Sequence, residues 1–255
     1  MSRILTLLFG VVGYTTFFAT FLYLIGFVAG LLTPTSLDAG GVASSFWPAL
    51  LINVSFVLLF GVQHCIMARP WFKQRWTRLV PAPIERTIFM LATCAILGLM
   101  FWQWRAMPDV LWALDGGAAI AVQAVAFGGW GIVLLSTFLI DHFDLFGLRQ
   151  TWLAFRGLPY TQKPFAERSL YRRVRHPLML GFLIAFWAAP VMTVGHLVFA
   201  LAFTTFIVIA LVFEERDLVA LHGNAYREYQ RRVPKLLPIG GRRTTPISTS
   251  VPQTV

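Results

Sequence analysis

Charged side chains are absent from residues 4–32, 46–68, 87–103, 118–140 and 177–213, and the polar residues collect in the gaps between these runs. A helix crosses the hydrocarbon core of a bilayer with roughly 20 apolar residues. Each of the first four runs is therefore read as one transmembrane helix, with Trp104 extending the third. The fifth run is too long for one crossing. Pro190 and Gly195 bracket its middle, which predicts a helical hairpin with a short first arm. A polar, helix-like segment follows, from residue 214 to about 232. In the first run, Gly26 and Gly30 form a GxxxG step, a spacing expected to let a neighbouring helix approach closely.

Composition supports a membrane protein. Of 255 residues, 57% are hydrophobic and 13% charged, with nine Trp and 23 Phe, far more apolar than a soluble domain. Of the 21 Lys and Arg, one precedes the first run, five lie in 69–86, one in 104–117, seven in 141–176 and seven after Phe213; none falls in 33–45 or at the hairpin bend. Basic residues accumulate where loops face the cytoplasm. The alternation predicts a membrane protein with both termini and the three basic segments in the cytoplasm. Arg3 before an apolar run resembles the start of a signal peptide, but the run is about twice the length of a usual h-region and is read as a mature helix. The net charge of +10 is spread over loops between spans, so it does not call for nucleic acid. Cys65 and Cys94 both lie within apolar runs and no CxxC is present, which suggests neither a disulfide framework nor a metal site. Residues 1–239 read as one membrane domain and residues 240–255, rich in Thr, Ser and Pro, as a disordered tail.

The hairpin is flanked by unusual chemistry. It begins at Arg175-His176-Pro177 within YRRVRHPLMLG and ends at Glu214-Glu215. A hairpin returns to the face it left, so the two clusters are expected to share one site. Pro177 suits a first helical turn, where its missing N–H costs nothing. Downstream, in EERDLVALHGNAYREYQRRVP, Glu215, His222 and Tyr226 recur at spacings of seven and four, with Tyr229 close behind. That spacing places them on one face of a continuous helix. Without further information, a solvated helix end with carboxylates at the membrane surface explains the same residues.

These two blocks resemble the signature of the isoprenylcysteine carboxyl methyltransferase and phospholipid methyltransferase superfamily, membrane enzymes that use S-adenosylmethionine. The resemblance covers roughly residues 165 to 238. It implies an all-α integral membrane protein, here four transmembrane helices plus the C-terminal hairpin, with a cytoplasmic cofactor-binding end. The positions it implies for the cofactor are Tyr171, Arg175, His176, Pro177, Gly181, Glu214, Glu215, Gly223, Tyr226 and Tyr229, with His222 beside them. The superfamily often has a tyrosine two residues after the proline, where this chain has Met179. A second set of motifs, QHCIMARPWFKQRW at 63–76, PIER at 83–86 and DHFDLFGLRQTW at 141–152, is similar to the bacterial methanethiol S-methyltransferases, relatives of the nitric-oxide-reductase-associated NnrU membrane proteins. That resemblance implies methyl transfer from S-adenosylmethionine to methanethiol, giving dimethyl sulfide. Methylation of a lipid or prenylated substrate, and a non-catalytic NnrU-like accessory role, are the alternatives.

A sulfonium donor with an amino-acid end needs a carboxylate for its ammonium, basic or backbone donors for its carboxylate, and aromatic faces near the sulfonium. Glu214 or Glu215, Arg175, and Tyr226 or Tyr229 supply that set. The acceptor must react as a thiolate. Candidates for removing its proton are His142 and Asp144 after the fourth run and His64 near the end of the second. Each has a structural alternative: His142 and Asp144 as a helix cap, His64 as an interhelical hydrogen-bonding group. Arg69, Arg75 and Arg78 read as topology determinants, and His196 falls at the outer bend. A small volatile thiol and membrane lipid are the expected partners.

Overall fold

The structure is a computed structural model that describes residues 2–161 and 167–238. The expected tail at 240–255 and the domain boundary at 239 lie outside the described residues. Among the described residues, five helices are long and apolar enough to cross a membrane: α1 (Arg3–Ala29), α2 (Phe46–Ala68), α4 (Ala82–Gln103), α5 (Gly116–Ile140) and α9 (Val194–His222). Between them lie α3 (Pro70–Trp76), α6 (His142–Leu145), α7 (Leu148–Arg156) and a 3₁₀ turn at Ser169–Arg172. The short apolar α8 (Pro177–Trp187) precedes α9, and α10 (Asn224–Arg232) follows it. The chain is an all-α membrane protein; among the described residues its strands are β1 (Val110–Ala113) and β2 (Val191–Thr193).

The hairpin has the short first arm. At 11 residues, α8 rises only about 16 Å, half a bilayer core. Extended residues carry the chain onward, and their backbone groups need partners inside or near the membrane. β2 supplies them by pairing antiparallel with β1, Leu114 N–H donates to the Pro190 carbonyl (2.9 Å), and the Trp112 indole donates to Ala189 (3.3 Å).

Three local expectations are corrected. The third span starts earlier than residue 87, at Ala82, so Glu85 and Arg86 belong to its first turns, and it ends before Trp104, whose ψ of 133° leaves the helix. The polar segment after Phe213 is not a separate helix: α9 runs through Glu214 and Glu215 to His222 and breaks at Gly223 (φ 59°, ψ −129°), so His222 and Tyr226 lie on different helices. Gly26 and Gly30 make a helix end, not a helix–helix contact. Gly30 is the left-handed cap of α1 (φ 66°), and the chain folds back so that a Cβ at Gly26 would lie 2.5 Å from the Leu31 carbonyl oxygen. The close helix approach occurs at Gly129 of α5 and Gly181 of α8, where a Cβ on either would meet the other's carbonyl oxygen within 2.8 Å.

One end of the bundle is welded shut. Loops 33–45, 104–115 and 188–193 meet there: Gly41 bridges to Arg105, Asn53 exchanges two hydrogen bonds with the Arg105 backbone (2.8 and 2.9 Å), and the Trp104 indole donates to Leu37 (3.1 Å). The Thr193 hydroxyl donates to Asp38. Phe27, Leu37, Met100, Trp104, Phe186 and Phe199 pack beneath these loops at 0–2% exposure, the centre of the core. The basic segments at 69–86, 141–161, 167–176 and 214–238 emerge at the opposite end.

Candidate active site

At the basic end the hairpin brings Arg175 and His176, before α8, against Glu214 and Glu215 near the end of α9. Glu215 is buried and meets three partners: Arg175 Nε at 2.7 Å, Lys235 Nζ at 3.0 Å and His176 Nε2 at 3.3 Å. Arg175 Nη1 also donates to the carbonyls of Gln230 (2.8 Å) and Val233 (2.6 Å), and the backbone N–H groups of Arg175 and His176 donate to Pro234 and Lys235. Residues 230–235 are thereby strapped over the start of α8. Lys235 and these carbonyls carry no motif that would have marked them in advance.

Glu214 differs from its neighbour. Its side chain is 44% exposed and stands 3.8 Å from His176 Nδ1. Tyr226 and Tyr229 are buried under the same strap, and the Tyr229 hydroxyl donates to the Tyr171 carbonyl (2.5 Å). Burial pushes the phenols of Tyr171, Tyr226 and Tyr229 up, with nearby carboxylates adding to the shift for Tyr171 and Tyr226, so all three stay neutral. Pro177 occupies the first turn of α8. Gly181, one turn further into the membrane, lies in the contact with α5, where its missing Cβ leaves room for Val133. His222 is half-buried at the end of α9, beyond the knot.

The three proton-transfer candidates fall in different surroundings. His142 is buried with both ring nitrogens engaged, Nδ1 by the Thr137 hydroxyl (2.7 Å) and Nε2 by the Tyr14 hydroxyl (2.8 Å). Because the Thr137 hydroxyl donates to the Leu134 carbonyl (2.6 Å), it accepts from His142 Nδ1–H, and Nε2 accepts from Tyr14. The ring stacks on Phe138 at 4.2 Å, and burial holds its pKa below that of a free imidazole. Asp144 is held by Arg149 (3.0 Å) and the Tyr160 hydroxyl (3.1 Å). His64 lies among Phe60, Phe89 and Phe206, with Nδ1 buried and without a hydrogen-bond partner. An orphaned imidazole nitrogen in an aromatic pocket is uncommon in a folded protein. Of the three, His64 has a ring nitrogen open to a further partner.

Arg69, expected as a topology determinant, pairs with Asp217 of α9 (2.8 Å) and covers the Phe213 ring. It fixes the end of α2 beside the carboxylate-bearing turn of α9. His196 is buried at the welded end, bonded to the Phe186 carbonyl (2.8 Å).

The chain matches no protein-family model and no solved structure. It is 48% identical over 245 residues to a methanethiol S-methyltransferase of Mycobacterium tuberculosis, an alignment covering 96% of this chain and 100% of that protein. It is 48% identical over 245 residues to methanethiol S-methyltransferase 2 of Bradyrhizobium diazoefficiens, covering 96% and 94% of the two chains. With a methanethiol S-methyltransferase of Crocosphaera subtropica it shares 46% identity over 246 residues, 96% of each chain.

Proposed function

The chain belongs to the methanethiol S-methyltransferase family; it is a membrane methyltransferase, and we propose that it methylates methanethiol to dimethyl sulfide with S-adenosylmethionine as donor, held at the Arg175–Glu214 knot. The observation that supports this seat is the division of labour between two adjacent carboxylates. Glu215 is consumed by Arg175, His176 and Lys235, whereas Glu214 presents a half-exposed oxygen beside them. A carboxylate so placed accepts an ammonium, and the surrounding cations favour a carboxylate next to it. S-adenosylmethionine supplies an electrophilic methyl on a sulfonium and leaves as a neutral thioether.

The chain's own contribution is position, charge and dryness. Arg175 and Lys235 fix Glu215, and the strap over α8 fixes Tyr171, Tyr226 and Tyr229 as neutral rings. The aromatic cluster of Phe17, Phe89 and Phe146 excludes water between His64 and His142. His142 and Asp144, both occupied, act as positioning residues. The thiol proton leaves toward His64 Nδ1 in concert with methyl transfer: the sulfur lone pair forms the new S–C bond as the donor's S–C bond breaks, so no free thiolate has to persist before the sulfonium charge is cancelled. An apolar interior suits an acceptor and product that need no polar exit. The basic end, with both termini, faces the cytoplasm of the bacterial inner membrane.

Glu214→Gln tests the seat. Isothermal titration with S-adenosylhomocysteine should show affinity lowered about tenfold or more, with unchanged folded yield. Equal affinity in the variant would remove Glu214 from the site. Headspace measurement of dimethyl sulfide should show His64→Gln slowed by roughly a hundredfold with S-adenosylhomocysteine binding retained; normal turnover would remove His64 as the base.

A further inference from the structure

Three motifs that stand outside the Arg175–Glu215 knot converge on one cavity. Lys73 from the segment after α2, Glu85 and Arg86 from the first turns of α4, and Asp141, Asp144 and Gln150 from the segment after α5 line a space of about 670 Å³, with Tyr160 at its side. That volume is typical of ligand pockets. Glu85 is 9% exposed and its Oε1, buried in this wall, has no hydrogen-bond partner; Gln150 Oε1 has none either. A native fold rarely leaves a buried carboxylate oxygen unsatisfied, because its lost hydration is not repaid.

Charge narrows what would repay it. Asp144 is already paired with Arg149 and Tyr160, and Asp141 is engaged as a helix cap, accepting the Asp144 N–H (3.3 Å), which leaves Glu85 to receive a donor from outside. Beside it stand Lys73 and Arg86, the latter oriented by its Nε–H bond to the Leu145 carbonyl (2.7 Å) and its position over the Phe89 ring. Two cations repel a metal ion, and a buried carboxylate repels a simple anion. We propose that the cavity is a second binding site that takes a small zwitterion, its ammonium on Glu85 and its anionic group on Lys73 and Arg86. Two sources carry that chemistry, a free amino acid or the ethanolamine phosphate headgroup of a membrane lipid.

The test is isothermal titration of the full chain in detergent with sn-glycero-3-phosphoethanolamine and with methionine, each beside its N-trimethylated analogue, which cannot donate a hydrogen bond to Glu85. Binding of either ammonium compound is expected, weaker by about tenfold or more in the trimethylated form and in Glu85→Gln. Preference for the phosphoethanolamine assigns the site to a lipid headgroup, and preference for methionine to a free amino acid. Lys73→Gln, which alters the anionic contact and leaves Glu85 in place, should weaken the same compound if Glu85→Gln fails to fold. The inference is overturned if neither compound binds, or if binding is the same in every variant that folds. S-adenosylhomocysteine affinity should survive Glu85→Gln. If that variant abolishes it and Glu214→Gln does not, the cavity is the donor's own seat, and the second site and the assignment to Glu214 both fall.

Discussion

The two ends of the helix bundle differ in how they treat polar groups. At the welded end, short loops with few charges satisfy one another through β1–β2 pairing, the Asn53–Arg105 exchange and the Trp104–Leu37 bond. At the basic end, ion pairs are buried around Glu215, a ligand-sized cavity opens between α4 and α7, and His64, Glu85, Thr87, Ser136 and Gln150 each keep a buried polar atom without a partner. The welded end leaves such atoms at Thr33 and Arg105. One end fixes the helices relative to each other, which lets the other carry buried polar groups that the protein itself does not pair. The contrast separates polar groups spent on architecture, which include Glu215 at the basic end, from polar groups left over for a ligand.

The largest expected effect breaks the basic end itself. Glu215→Ala leaves Arg175, His176 and Lys235 around a missing carboxylate, and removing one partner of a buried ion pair costs roughly 3–5 kcal/mol. Folded yield after size-exclusion chromatography should collapse. If instead the variant is stable and merely loses donor affinity, the distinction between Glu215 and Glu214 is wrong.

Asn53→Ala probes the welded end. It strips both partners from the Arg105 backbone, for about 1–3 kcal/mol, and should lower the thermal midpoint while leaving turnover near normal below the transition. A large loss of turnover with an unchanged midpoint would show that the two ends are not separable in this way.

A smaller effect concerns His142, whose pKa is lowered by burial and whose Nε2 accepts from Tyr14. The native state holds the ring neutral, whereas the unfolded chain takes up a proton near pH 6.5. The stability this linkage contributes is therefore present above that pH and is lost as the solution is acidified below it. His142→Gln should flatten the dependence of the thermal midpoint on pH between about 7 and 5; an identical slope in the variant would exclude His142 as its source. Smallest in stability is Glu214→Gln. Its midpoint should match the parent within about 0.5 kcal/mol, as for an exposed substitution, so that its effect on S-adenosylhomocysteine binding stands alone.

Much of this contrast was legible in the chain. Uncharged runs located the spans because hydrocarbon excludes charge, and the alternation of basic loops assigned the segments at 33–45, 104–117 and the bend to one end. The meeting of Arg175 and His176 with Glu214 and Glu215 followed from a hairpin returning to its own face. Other features were not legible. The spacing of Glu215, His222 and Tyr226 fits one helix, but Gly223 turns the chain so that Tyr226 and Tyr229 bury against the strap. Glu85 and Arg86 looked like a loop before a span and are instead the first turns of α4, where their charges face a cavity. The glycines at 26 and 30 have the spacing of a packing motif; the ones that pack are at 129 and 181, far apart in sequence.

The sequence by itself determined the solvent this protein lives in, the number of long spans, which loops share an end of the bundle and the residue types available for methyl transfer, because these depend on transfer free energies and chemistry that each segment carries alone. Tertiary structure decided which of two adjacent glutamates is spent on architecture, which of three candidate bases keeps a nitrogen open, and where a cavity forms. Those outcomes depend on partners brought from distant segments, Lys235 for Glu215, Tyr14 for His142 and Lys73 beside Glu85, and burial makes each partner's presence or absence decisive.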